Sequence, residues 1–367
     1  MKKMMGLVWT NYTDGDFGLL TEERPIAAIP YGGRYRLVDF PLSNMVNSGI
    51  RTVGLITPYL YRSLLDHVGN GKEWALNRKV GGLYFLPGST YGMRGATGRF
   101  LLRDIIHNSA YLERAHEELV VISAASKIFN IDFTEVAKAH EATGAGITLV
   151  YKKVSSGAPG KNLDLELDAN GRVTELKKDG TGDTNLFLDA LIIDKSLMSR
   201  IIDWYAAQSY LDLMDVVAEN LNQLSVYGYE FTGYEHSIDN VVDYMDASME
   251  LLNPAVIKEL FMSDRIIITK VHDAPPVKYG PNADVENSVI ATGTIVKGVV
   301  ENSIIFRGCK IGEGTVIKNS VILPNCVIDE GVYVENVICD KFVKLSDGVK
   351  LHGTNVKPLV VTRKQYS

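Results

Sequence analysis

Cysteine is scarce. The 367-residue chain has three, Cys309, Cys326 and Cys339. An odd, sparse set argues against a disulfide scaffold, and the intervals match no zinc-ligand spacing. Reduced thiols and a cytoplasmic setting are the expectation. Long apolar runs are also missing: nothing approaches the ~20 residues of a membrane helix. Lys2 and Lys3 precede only Met4 to Trp9 before polar Asn11. That is shorter than the ~7–15-residue core of a signal peptide and reads as a first buried strand. Positive charge is in deficit, 38 Lys and Arg against 44 Asp and Glu, for a net charge of −6. A general nucleic-acid binder needs the opposite balance. Glycine and proline, at 33 and 12 residues, are too few for collagen or a low-complexity chain.

What is present divides into two patterns. Up to residue 258, short apolar runs alternate with amphipathic stretches. Expected strands are Met5–Thr10, Thr52–Thr57, Leu119–Ser123, Ile147–Lys152, Leu186–Ile193 and Val226–Glu230. Expected helices are Phe100–Asn108, Ile131–Glu141, Lys195–Gln208, Leu211–Leu224 and Asn240–Leu252. In the last of these, Val241, Tyr244, Met245, Met249 and Leu252 form one apolar face. Strands alternating with helices imply a mostly parallel, doubly wound sheet, which binds ligands at the C-terminal strand ends. Trp9, Trp74 and Trp204 read as core aromatics, and the seven histidines show no metal spacing.

Residues 259–282, with Pro275, Pro276 and Pro281, read as a linker. From residue 283 to 367 the chain repeats itself. Val285-Glu-Asn-Ser-Val-Ile returns from Val300, from Ile317 and loosely from Val334, at offsets of 15, 17 and 17. Aliphatics recur every five to six residues between these marks. Three six-residue faces make one ~18-residue coil of a hexapeptide β-helix. Cys309 and Cys326, 17 residues apart, should stack on successive coils as small apolar residues. Hexapeptide coils also host acyl transfer, which needs a histidine base, and no His lies between Val285 and Leu351.

The segment Pro30-Tyr-Gly-Gly-Arg-Tyr-Arg-Leu-Val-Asp-Phe-Pro-Leu-Ser-Asn-Met-Val-Asn-Ser-Gly-Ile50 resembles the signature of ADP-glucose pyrophosphorylases (glucose-1-phosphate adenylyltransferases). Val53-Gly-Leu-Ile-Thr-Pro-Tyr-Leu, Gly171-Arg-Val-Thr-Glu175, Gly233-Tyr234 and the repeats also fit. The resemblance implies a Rossmann-like α/β nucleotidyltransferase domain, a left-handed parallel β-helix, a tetramer and allosteric control of glycogen synthesis. The reaction joins two phosphates, so it needs cationic groups, a glycine-rich turn and a divalent metal on carboxylates.

Those features are the ones that depart from the family pattern. The turn Gly-Gly-x-Gly-Thr-Arg-Leu is replaced by Asn11-Tyr-Thr-Asp-Gly-Asp-Phe17, with Asp14 and Asp16 adding negative charge. The lysine of Arg-Ala-Lys-Pro is Ile26. The metal aspartates of Gly-Asp-His and Trp-Arg-Asp-Val-Gly-Thr correspond to Ser126 and Ser237, with Lys127 adjacent. Asp239 would replace the second only through a loop shift. The lysine of Glu-Lys-Pro is Asp179, Gly-Thr-Ala-Asp-Ala reads Gly95-Ala-Thr-Gly-Arg99, and an expected glutamine is Pro58.

Scaffold without chemistry is similar to the non-catalytic GlgD-type subunit found beside a catalytic one in Gram-positive bacteria. The resemblance implies a hetero-oligomer with the catalytic paralogue, or a homo-oligomer alone. It implies no cofactor in this chain, with Mg2+ needed only by the partner. Arg24, Arg34 and Arg36 are the candidate effector-binding residues, for a phosphorylated glycolytic intermediate. Two other readings are an adenylyltransferase with displaced ligands, separable by turnover of the pure chain, and a binding scaffold with no enzymatic partner, separable by co-purification.

Overall fold

The computed structural model describes residues 2–10, 17–57, 60–88, 99–155, 163–178, 182–208 and 211–366. The first strand, Met4–Trp9, is buried along its whole length because both faces of the sheet are covered. It pairs in parallel with Thr52–Thr57 on one side and Leu119–Ala124 on the other. Gly82–Pro87 extends the sheet in parallel beyond Thr52–Thr57. The sheet has nine strands and is mixed. Thr184–Asp194 runs antiparallel to Leu119–Ala124 and to Ile147–Val154. The hairpin Leu163–Leu167 and Val173–Lys178 lies outside it. Alternating apolar runs carry no direction, so the reversal of Thr184–Asp194 was invisible in the pattern.

Helices close the faces. Phe133–Thr143 starts at Asp132, whose carboxylate accepts the Thr134 N–H, and Val241–Glu250 starts at Asn240, which accepts two backbone N–H groups. Asp39–Asn47 carries nine residues of the signature segment and is almost entirely buried. Trp9 and Trp74 are core residues, but Trp204, at the end of Lys195–Trp204, is 51% exposed. That corrects the expectation for Trp204: Arg200 covers its ring at 5.8 Å, and no apolar layer does.

From Lys278–Tyr279 onward the chain forms three parallel sheets of five strands each, the faces of a left-handed β-helix. Val285, Val300, Ile317, Val334 and Leu351 stand in register. The Glu-Asn-Ser unit explains the corner. Asn287, Asn302, Asn319 and Asn336 all take positive φ, a conformation asparagine tolerates better than most residues. The following serines are internal cross-braces. Ser303 Oγ donates to Glu301 O at 2.7 Å and accepts the Ser320 N–H at 3.1 Å. Ser320 Oγ in turn accepts the Val337 N–H at 3.1 Å. The three cysteines are buried and free.

The two domains share one apolar core. Phe17, Leu20, Tyr31, Phe40 and Tyr244 pack with Ile304, Phe306, Val321, Leu323 and Ile338 of the coils. Gly32 and Gly33, at φ 57 and 81, make the turn that returns Tyr35–Arg36 against Pro30–Tyr31.

Candidate functional site

The positions that correspond to the metal aspartates of the resembling enzymes form the cleft, a buried cluster at the C-terminal end of a parallel strand, where Leu119–Ala124 runs toward Ser126. A short strand, Lys127–Phe129, follows and pairs antiparallel with Glu235–Ser237, placing Ser237 opposite Lys127. The Ile238 N–H donates to Ser126 O at 2.9 Å. Local folding thus brings positions 126 and 237 together, although they are far apart in the chain.

Their chemistry is not that of a metal centre. Ser126 is buried, and its Oγ has no hydrogen-bond partner among the described residues. Lys127 is also buried, and its Nζ donates to Ser237 Oγ at 2.7 Å. Ser237 Oγ passes its own hydrogen to Glu235 Oε1 at 2.6 Å. The ammonium also lies 3.5 Å from Asp189 and 3.8 Å from Asp239. Burial pulls the Lys127 pKa down, but the carboxylates of Asp239, Asp189 and Glu235 outweigh it and hold the pKa above its usual value. The group is charged. Magnesium needs charged oxygen ligands with no fixed cation among them. Hydroxyls at 126 and 237, with an ammonium against one of them, do not fit such an ion.

Asp189 and Arg99 were missed from the sequence. Arg99 pairs with Asp189 through a direct Nη1–Oδ1 contact. The signal for Asp189 was a lone carboxylate inside the apolar run Leu186–Ile193. Ile26, where the resembling motif has lysine, is a buried residue of the shared core. The turn Asn11–Asp16, Pro58, Gly95–Gly98 and Asp179 lie outside the described residues.

The three candidate effector arginines sit at the domain junction and take different partners. Arg24 forms a bidentate pair with Asp340 of the coils, at 2.6 and 2.7 Å. Arg36 donates to Ser63 O at 2.5 Å, and its backbone N–H donates to Asp39 Oδ2 at 2.9 Å. The other Asp39 oxygen is 2.6 Å from His67 Nε2. Arg34 lies 5.4 Å from the centre of the Tyr35 ring and lines a cavity of about 340 Å3 with Lys270, His272 and Arg307. Arg24 and Lys341 line a second cavity, about 190 Å3, beside Asp340, where Arg363 and Lys364 pair with Glu22 and Glu23. Burial, then neighbouring arginines, lower the Arg36 pKa to about 10 and that of Lys341 to about 7. Lys341 and Arg307 were not anticipated, because neither stands out from the repeat.

Fold and cleft together define a nucleotidyltransferase-type domain joined to a hexapeptide coil domain. Residues 19–177 match the family model described as Nucleotidyl transferase, and residues 275–357 match that described as GlmU-like, C-terminal hexapeptide. The chain is 38% identical to the glycogen biosynthesis protein GlgD of Bacillus subtilis over 94% of its own length and 91% of that protein's. Identity to GlgD of Geobacillus stearothermophilus is 37%, over 86% and 82%. A glucose-1-phosphate adenylyltransferase of Pseudothermotoga lettingae is 30% identical, over 86% and 76%. The chain belongs to the GlgD family of glycogen biosynthesis proteins, relatives of the glucose-1-phosphate adenylyltransferases. No helix among the described residues is long and apolar enough to cross a membrane.

Proposed function

We propose that this chain is a non-catalytic, regulatory subunit of a heteromeric glucose-1-phosphate adenylyltransferase, acting in the cytoplasm in glycogen synthesis. The observation that carries the reading is the Lys127 ammonium 2.7 Å from Ser237 Oγ, at the paired positions 126 and 237 where the resembling enzymes carry metal carboxylates. Phosphoryl transfer between two anions loses its main electrostatic support there, and one preorganised donor alone is worth about 3–4 kcal/mol. What the chain retains is the scaffold. The part left to it is to assemble with a catalytic paralogue, as a mixed tetramer, and to raise that partner's activity or effector sensitivity. The junction supports the second role. Arg24 and Lys341 line one cavity there and Arg34 and Arg307 another, and on this reading they, with Arg36, answer to a phosphorylated glycolytic intermediate.

The test is an adenylyltransferase assay of the pure chain, of the catalytic paralogue, and of the two mixed. The chain alone should make no ADP-glucose with magnesium, and the mixture should exceed the paralogue alone. ADP-glucose formation by the pure chain at ordinary enzyme rates would establish the other reading, an active adenylyltransferase. No change on mixing would remove the regulatory one.

A further inference from the structure

The cleft gathers what a hard cation takes as ligands, and a side chain stands in the middle of them. Around Lys127 Nζ are Ser237 Oγ, Asp189 and Asp239, with Glu235 reached through the Ser237 hydroxyl. The Lys127 side chain is 1% exposed, so its charge serves no ligand arriving from solvent. Asp189 is held at φ 48, inside Thr184–Asp194, where the pairing register shifts between Phe187 and Leu191. Left-handed backbone in mid-strand is unusual for a residue with a side chain, and the bulge turns the carboxylate toward Lys127 and Arg99. Among the described residues Asp189 therefore meets two cations, Lys127 and Arg99, while Asp239 pairs with Lys127 and Glu235 reaches it through Ser237; removing the ammonium would leave Asp239 without that partner.

We propose that Lys127 is a tethered substitute for a divalent ion. Its ammonium holds the carboxylates of Asp189, Asp239 and Glu235 in one cluster and ties Lys127–Phe129, Glu235–Ser237 and Thr184–Asp194 together without metal. The cleft is thereby kept permanently in the arrangement of a cation-loaded site. The ammonium donates to Ser237 Oγ and lies within ion-pair distance of Asp189 and Asp239, so it joins two other segments of the chain to its own strand. A divalent ion has no room to join it, because the fixed charge would repel it at short range.

The test uses the full chain and Mn2+ as probe. Lys127→Met keeps the length and apolar stem of the side chain and removes its charge. The unaltered chain should bind no Mn2+ at the cleft, and its melting temperature should not respond to the ion. Lys127→Met should melt lower, bind Mn2+ roughly tenfold or more tighter than the unaltered chain, and recover melting temperature as Mn2+ is added. Adding Asp189→Asn to Lys127→Met should abolish that gain. Where Lys127→Met does not fold, Lys127→Met with Asp239→Asn should be the more stable of the two, because one repelling carboxylate has gone. The proposal is overturned by a folded Lys127→Met that binds no more Mn2+ than the unaltered chain. It is equally overturned by saturable Mn2+ binding at the unaltered cleft, or by a double variant no more stable than the single one. These readouts need neither partner nor substrate, so their failure and that of the regulatory reading are distinguishable.

Discussion

At the scale of residues, Lys341 shows how the junction trades stability for charge. It follows Asp340, the partner of Arg24, and lines the cavity beside it. Burial lowers its pKa to about 7, Arg36, Arg24 and Arg307 add to the effect, and Asp340 opposes it. In the unfolded chain the group returns toward its ordinary 10.5. Below about 7 both states are protonated, and the cost of holding the ammonium is fully present. Between about 7 and 10.5 the unfolded chain binds the extra proton, so this group's contribution makes stability rise with pH. Lys341→Met should therefore raise the melting temperature most below pH 7, with the gain shrinking as pH climbs toward 10.5. Melting curves of both proteins across that range check this. Parallel curves would show that Lys341 carries no such penalty. The same protonation gives the junction one more positive charge below pH 7.

At the scale of elements, the coils are the part whose sequence and structure agree most closely, because each repeat meets the same neighbours. The asparagine corners carry a cost that depends on residue type. Asn319 sits at φ 45. Asn319→Gly should be close to neutral, since glycine takes that conformation freely, whereas Asn319→Val should lose about 1–2 kcal/mol. Urea denaturation of the two variants measures the difference, and equal losses would mean that corner strain is not the cause. The same logic explains what was legible elsewhere. Met4–Trp9 and Thr52–Thr57 announce themselves as apolar runs because both faces are covered. The hairpin Leu163–Leu167 and Val173–Lys178 escaped notice because its apolar residues are interrupted by charged ones, of which Glu166, Glu175, Lys177 and Lys178 face solvent. In the cleft, Ser126 and Ser237 were legible as departures from motifs. The Arg99–Asp189 pair was not, since its partners are 90 residues apart and only the bulge in Thr184–Asp194 aims one at the other.

At the scale of the molecule, the coils complete the first domain as well as stacking on themselves. Phe306 and Phe342 are two aromatics of the coils with different surroundings. Phe306 is buried at 1% exposure against the first domain, whereas Phe342, at 57%, faces outward. Ile304, Val321, Leu323 and Ile338 line the same contact, opposite Phe17, Leu20, Tyr31, Phe40 and Tyr244. Burying one large apolar side chain contributes about 1.5–3 kcal/mol. Removing the residues after Pro281 would uncover several at once, a large share of the about 5–15 kcal/mol of net stability that native proteins ordinarily possess. It would also strip Asp340 from the buried Arg24 side chain, and an ion that loses its buried partner typically costs about 3–5 kcal/mol. The truncated chain should therefore be poorly soluble, bind a hydrophobic dye and lack a cooperative melting transition. Adding Arg24→Leu should restore part of the stability by removing the orphaned charge, while leaving the apolar face uncovered. Size-exclusion chromatography with thermal melting decides the matter. A stable, monodisperse oligomer of the truncated chain would mean that the first domain closes its own core and that the coils serve assembly alone.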